Sequence, residues 1–177
     1  MNPSSITIIS FGHFGKNFPD KLADAVASVF HCSVLLKEAH LDLSDFYDAG
    51  RRQYNGDKLL KEVDSLKPEG SGKIIGLFNV DLFIPILTFI YGQAQLGGRS
   101  AIASFYRLSN ERYGLAADDQ KLRERLIKEV IHELGHTFGL IHCTVSTCVM
   151  RSSTYVEDID QKEARFCNDC RILLGQK

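Results

Sequence analysis

The sequence predicts a mixed α/β (α+β) fold: a mixed twisted sheet with flanking helices, and a small C-terminal lobe. Three observations predict it. Short apolar runs of strand length alternate with amphipathic stretches of helical period through the first two thirds of the chain. One long amphipathic stretch near residue 130 sets two histidines and a glutamate on adjoining helical positions. Four of the five cysteines crowd into the last 35 residues.

The elements follow in order. Residues 6–11 are an isoleucine-rich run, a buried strand. Residues 19–30 place apolar side chains at 22, 25, 26, 29 and 30, an amphipathic helix opened by Pro19. Residues 33–36 read as a second strand. In 57–66, Leu59, Leu60, Val63 and Leu66 share one helical face. Residues 67–72, Lys-Pro-Glu-Gly-Ser-Gly, read as a surface loop, and 73–78 as a third strand. Residues 87–95 and 100–108 read as two more strands joined by a tight turn at Gly97-Gly98-Arg99. Asp118 or Asp119 caps a long helix through Phe138, with an apolar stripe of Leu122, Leu126, Val130 and Leu134. A last helix starts at Asp158 or Asp160 and runs toward Leu174.

The long helix ends in His132-Glu133-Leu134-Gly135-His136-Thr137-Phe138-Gly139-Leu140-Ile141-His142, the pattern H-E-x-x-H-x-x-G-x-x-H. His132 and His136 stand one turn apart on one face and can reach one Zn²⁺. On a continued helix His142 would lie roughly 15 Å further along the axis, so the chain must turn back. Gly139 permits this, because glycine adopts the left-handed conformation that ends helices. Three protein ligands leave a fourth position open, the arrangement of a catalytic zinc, which acidifies water and polarises a carbonyl. Glu133 is placed to act as general base in hydrolysis of an amide, and the expected amide is a peptide bond. Met150, the only methionine besides the initiator, fits a turn that packs beneath the metal without ligating it.

Cys143, Cys148, Cys167 and Cys170 form C-x4-C followed by C-x2-C, the spacing of a structural Cys₄ zinc site. Two disulfides or free thiols are the rival readings. The N-terminus lacks the basic and apolar segments of a secretory leader, and a reducing compartment favours thiolate ligands. The roughly 35 residues after His142 are too few for a self-sufficient core, so a zinc staple would hold them and fix His142 through its neighbour Cys143. Cys32 reads as a buried small apolar residue.

The chain has 177 residues, 44% hydrophobic and 24% charged, with net charge −1, which suits one globular domain. Nothing points to nucleic acid or to an anionic membrane surface. The longest apolar stretch, 80–91, is broken by Asp81 and Pro85 and cannot span a bilayer. A strand around 91–104 is free to pair with an extended peptide, although Gly97 and Gly98 also suit a plain hairpin. His13, His31 and His40 have no partner at ligand spacing. The basic and acidic run from Lys121 to Glu129 reads as a solvated face with no catalytic role.

The extended zinc motif, the Met turn at Met150 and the cysteine pattern together resemble the archaemetzincins, a family of metzincin zinc peptidases. The motif-bearing resemblance covers residues 132–170; Asn79 to Pro85 and Gly97-Gly98 are similar less specifically. It implies a metzincin-like catalytic domain over 1–177, with an upper subdomain (1–139) and a lower one (140–177). It implies two Zn²⁺, one catalytic on His132, His136 and His142 and one structural on Cys143, Cys148, Cys167 and Cys170, with Glu133 as base. Some metzincins carry a tyrosine two residues after the turn methionine; Ser152 stands there instead. The expectation is a cytoplasmic, monomeric zinc metallopeptidase acting on peptides or unfolded polypeptide. The alternatives are a zinc amidase for small molecules and a zinc-binding interaction protein with an occluded site.

Overall fold

Strand β1 (Ser5–Ser10) enters a five-stranded sheet at once, because its isoleucines have helices to meet on both faces. The computed structural model describes residues 5–14, 18–66, 68 and 72–176. The first four residues and most of the 67–72 loop lie outside them. From β1 the chain crosses through α1 (Phe18–Phe30) to β2 (Ser33–Glu38), which pairs parallel with β1. Further on come α2 (Gly56–Ser65), β5 (Lys73–Phe78), β8 (Gly92–Ala94) and β9 (Ser100–Ser104). The sheet order is β2-β1-β5-β9-β8; the first four strands are parallel and β8 is an antiparallel edge.

Strand alternation sorts the core into two layers. Ile6, Ile8, Ile75, Leu77, Ala101 and Ala103 meet α1 and α3 (Asp119–Thr137). Ile9, Ile74, Phe78 and Ile102 meet Leu59, Leu60 and Val63 of α2. The first layer continues without a break into Leu140, Val149, Met150, Ile159 and Phe166. The C-terminal residues therefore build onto the main core.

Four sequence expectations are corrected. Residues 87–95 do not form one strand. β7 (Leu87–Ile90) turns at Pro85 and Ile86 to pair with β6 (Leu82–Ile84), in a second sheet of order β3-β4-β6-β7 with β3 (Tyr47–Asp48) and β4 (Gln53–Asn55). The break falls at Tyr91, after which β8 joins the main sheet. The expected 100–108 strand stops at Ser104, whose Oγ donates to the Val80 carbonyl and accepts from Tyr106 N; Tyr106–Leu108 is a 3-10 turn. The last helix is two short ones, α4 (Val156–Gln161) and α5 (Asn168–Leu173). Asp158 lies inside α4 and caps its start by accepting from Thr154 N and Tyr155 N at 2.9 Å, and Asp160 turns to Arg125. Cys32 is half-buried rather than buried.

Candidate active site

Helix α3 begins where the sequence places it, with the Asp118 carboxylate accepting from Lys121 N at 2.9 Å. It ends where Gly139 takes φ +90°. Gly139 N and Leu140 N donate back to the carbonyls of His136 and Gly135, closing the helix and turning the chain toward His142. Gly97 N, at the tip of the β8–β9 hairpin, also donates to the His136 carbonyl at 2.9 Å. The hairpin is thereby fastened to the end of the histidine helix.

The three motif histidines converge. His132 Nδ1–H donates to the Val149 carbonyl at 2.8 Å and His136 Nδ1–H to the Leu140 carbonyl at 2.7 Å. With both Nδ1 protons committed, each Nε2 carries a bare lone pair, and the two face each other at 3.1 Å. Neither can donate to the other. Such an arrangement is matched by a cation between them: two nitrogens in a tetrahedral zinc shell lie about 3.4 Å apart. The His142 ring lies 5.3 Å from that of His132 and 5.0 Å from that of His136, and one nitrogen from each of the three falls within 4.8 Å of the others. Burial keeps His132 well below the ordinary histidine pKa and lowers His136 and His142 as well, so all three are held neutral, the form that binds metal.

The turn at residue 150 holds these residues from below. The carbonyls of Val149, Met150 and Arg151 accept in succession from His132 Nδ1, Cys143 N and Lys162 Nζ, at 2.8, 3.0 and 2.8 Å. Met150 is fully buried. Its sulfur packs against Gly135, where a side-chain Cβ would collide with it.

Glu133 is buried beside the histidines. The carboxyl of Glu129 lies one helical turn back, and burial first, then that neighbouring carboxyl, pushes the pKa of Glu133 well above the ordinary carboxylate range. The Glu133 Oε1 lies against Gly92, where a Cβ would stand 2.8 Å away. Glu129 and Arg125, expected on a solvated face, are both buried, at 4% and 3% exposure. Arg125 makes a two-pronged pair with Asp160 at 2.7 and 2.8 Å and donates to the Leu108 carbonyl, so the charge is matched inside. Lys162, 2% exposed, also faces Glu129 and Glu133. Sequence reasoning missed Gly92, Gly135, Glu129 and Lys162. A glycine inside a helix and two acids at i, i+4 were the available signals; Lys162 left none.

The four C-terminal cysteines also converge. Their sulfurs lie within 4.8 Å of one another, with 3.7 Å between Cys143 and Cys167 and 3.8 Å between Cys148 and Cys170. All are free thiols, so the disulfide reading is not met. Four thiolates around a tetrahedral zinc lie about 3.8 Å apart.

Neutral imidazoles closing on one point beside a buried carboxylate, in a cleft where His142 remains exposed, belong to the zinc-dependent peptidases, and this chain is one of them. Peptidase family M54 matches residues 33–176, and the chain belongs to that family, the archaemetzincins. It is 36% identical to the archaemetzincin of Archaeoglobus fulgidus over 149 residues, 84% of this chain and 86% of that one. It superposes on the crystal structure of archaemetzincin from Methanopyrus kandleri with a TM-score of 0.85, at 33% identity, covering 98% of this chain and 94% of that one. A zinc-dependent peptidase from Methanocorpusculum labreanum gives 0.87 at 28% identity, covering 96% and 99%. Among the described residues no helix is long and apolar enough to cross a membrane.

Proposed function

We propose that His132, His136 and His142 hold the catalytic zinc, that Cys143, Cys148, Cys167 and Cys170 hold a second, structural zinc, and that Glu133 is the general base for peptide-bond hydrolysis. The observation that carries this reading is the pair of Nε2 lone pairs facing at 3.1 Å, with both Nδ1 protons donated to backbone carbonyls. When bound, zinc supplies a Lewis acid that polarises the scissile carbonyl and acidifies water.

The chain's own residues do the rest. Glu133 takes a proton from the attacking water at a carboxylate oxygen and returns it to the leaving amine. Edge strand β8 lies beside His132, Glu133 and His136 along the same cleft, and among the described residues it pairs on one side only. An extended substrate backbone can add to its open side, which binds peptide without demanding a sequence. Met150 supports His132 through packing and the neighbouring Val149 carbonyl.

In this reading residues 1–139 form the upper part of the catalytic domain and 140–177 the lower. The short lower part gives little wall beyond the zinc, which suits peptides and unfolded segments. We place the protein in the cytoplasm as a monomer, where the four thiols remain reduced for metal. The test is digestion of a defined peptide mixture by zinc-loaded protein and by Glu133→Ala, read by mass spectrometry. Cleavage is expected to disappear in the variant while both zinc ions remain; equal cleavage by the two proteins would remove Glu133 from the reaction.

A further inference from the structure

Two cavities adjoin the histidines, and their walls differ in kind. One, of about 380 Å³, is walled by Ile84, Leu87, Ile90, Leu96 and Ile141. The other, of about 330 Å³, shares Leu87, Ile90, Gly92, His132, Glu133 and His142 with it and adds Phe89 and Tyr91; it differs in also carrying Glu129, Ser153, Thr154 and Lys162. We propose that this second cavity receives a substrate side chain that both donates and accepts hydrogen bonds, the carboxamide of asparagine or glutamine, next to the scissile bond. The proposal rests on the peptidase reading above and names the substrate class of that same cleft.

Two of the polar residues of this second cavity, Glu129 and Lys162, are buried. An ammonium has three donors, and the Lys162 Nζ uses one on the Arg151 carbonyl. Glu129 is 4% exposed, and its carboxyl group offers acceptor sites to an occupant. Ser153 Oγ is buried with no hydrogen-bond partner. A buried polar group without a partner is costly, so the cavity favours an occupant that supplies both donors and acceptors.

Each class of side chain can be tried against that wall. An aliphatic side chain displaces water and leaves Lys162, Glu129 and Ser153 dry. A carboxylate accepts from Lys162 but offers Glu129 no donor, and an ammonium donates to Glu129 but offers Lys162 no acceptor. A carboxamide fits both: its oxygen accepts from Lys162 and its NH₂ donates to Glu129. It carries no charge, so neither wall residue repels it. Sites made of hydrogen-bonding groups discriminate far more sharply than apolar ones, because the wrong occupant leaves them unpaired.

The experiment is a peptide library with all twenty residues at every position, digested by zinc-loaded wild-type protein and sequenced by mass spectrometry. Asparagine and glutamine are expected to be enriched at least about tenfold over leucine, aspartate and lysine at one position adjoining the cleaved bond. Cleavage without that enrichment overturns this inference and leaves the peptidase reading intact. No cleavage of any peptide by protein with its zinc bound overturns the peptidase reading itself. Lys162→Met keeps the aliphatic stem and removes the ammonium. It is expected to lower the glutamine-to-methionine preference at that position by about tenfold; an unchanged preference also overturns the inference. The wild-type library decides the matter even if the variant does not fold.

Discussion

The Val149 carbonyl accepts a hydrogen bond from His132 Nδ1 at 2.8 Å, and this contact joins the turn around Met150 to the helix of the motif. Val149 is fully buried, and its own N–H donates to the Arg165 carbonyl at 3.0 Å. The orientation of His132 is thus set from the cysteine-bearing segment as well as from α3. The next carbonyl, that of Met150, holds Cys143 N beside His142. The cysteine site and the histidine site are in this way mechanically continuous.

Cys143→Ser is expected to disturb both sites. Zinc content should fall from two ions to one per chain, and the melting temperature by several degrees; at this size about 1 kcal/mol corresponds to roughly 2–4 °C. Metal analysis and calorimetry on the same sample check this. Two retained ions and an unchanged melting curve would count against a zinc staple at the four cysteines.

Gly92→Ala should damage both turnover and stability, because the new Cβ would also stand 2.7 Å from the Ile102 carbonyl oxygen, which is fixed in the sheet. The new Cβ would stand 2.7 Å from Glu133 Cγ and 2.8 Å from its Oε1, so the carboxylate must move. Misplacing a reacting group by about 1 Å can cost about 100-fold in rate. A kcat loss of that order with zinc retained is the expected outcome. Near wild-type turnover would show that Glu133 does not depend on this clearance.

Gly135→Ala acts beneath the histidines. Its Cβ would collide with the Met150 sulfur inside a closed core, where overpacking costs about 1–3 kcal/mol despite the helix preference for alanine. Chemical denaturation should show this loss. Adding Met150→Ala should recover part of it, since the colliding atom is removed; strict additivity of the two changes would mean that the residues do not interact.

Acid should weaken the Arg125–Asp160 pair. Burial alone would raise the Asp160 pKa, but hydrogen bonds from Arg125 and Lys121 outweigh it and hold the carboxyl below its ordinary value. The folded-state pKa lies below the unfolded one, so the stabilisation is present above the unfolded pKa and is lost as pH falls through the folded one. Stability should therefore decline below about pH 4, and Asp160→Asn should flatten that part of the profile. Arg125→Met tests the same pair from the other side. It leaves Asp160 with Lys121 alone, 3.2 Å away, and is expected to cost about 1–3 kcal/mol near neutral pH.

The chemistry was legible in the sequence because its signals are local. The spacing of His132 and His136, the break at Gly139 and the closeness of the cysteines follow from the geometry of short chain segments, and the three histidines and the four cysteines gather into two clusters. Helix α3 and its Asp118 cap were equally local. Residues far apart in the chain settled the rest. Residues 87–95 divide between two sheets because 87–90 find a partner in 82–84, a choice that the apolar pattern does not contain. The same holds for Arg125, Glu129 and Lys162. Charged residues at helical spacing read as a solvated face until α4 and the Met150 turn close over them. The sequence by itself determined which groups could bind metal and move a proton. The tertiary structure decided what surrounds them, since burial and clearance, at Gly92 and Gly135 as at Lys162, come from whichever segments pack there.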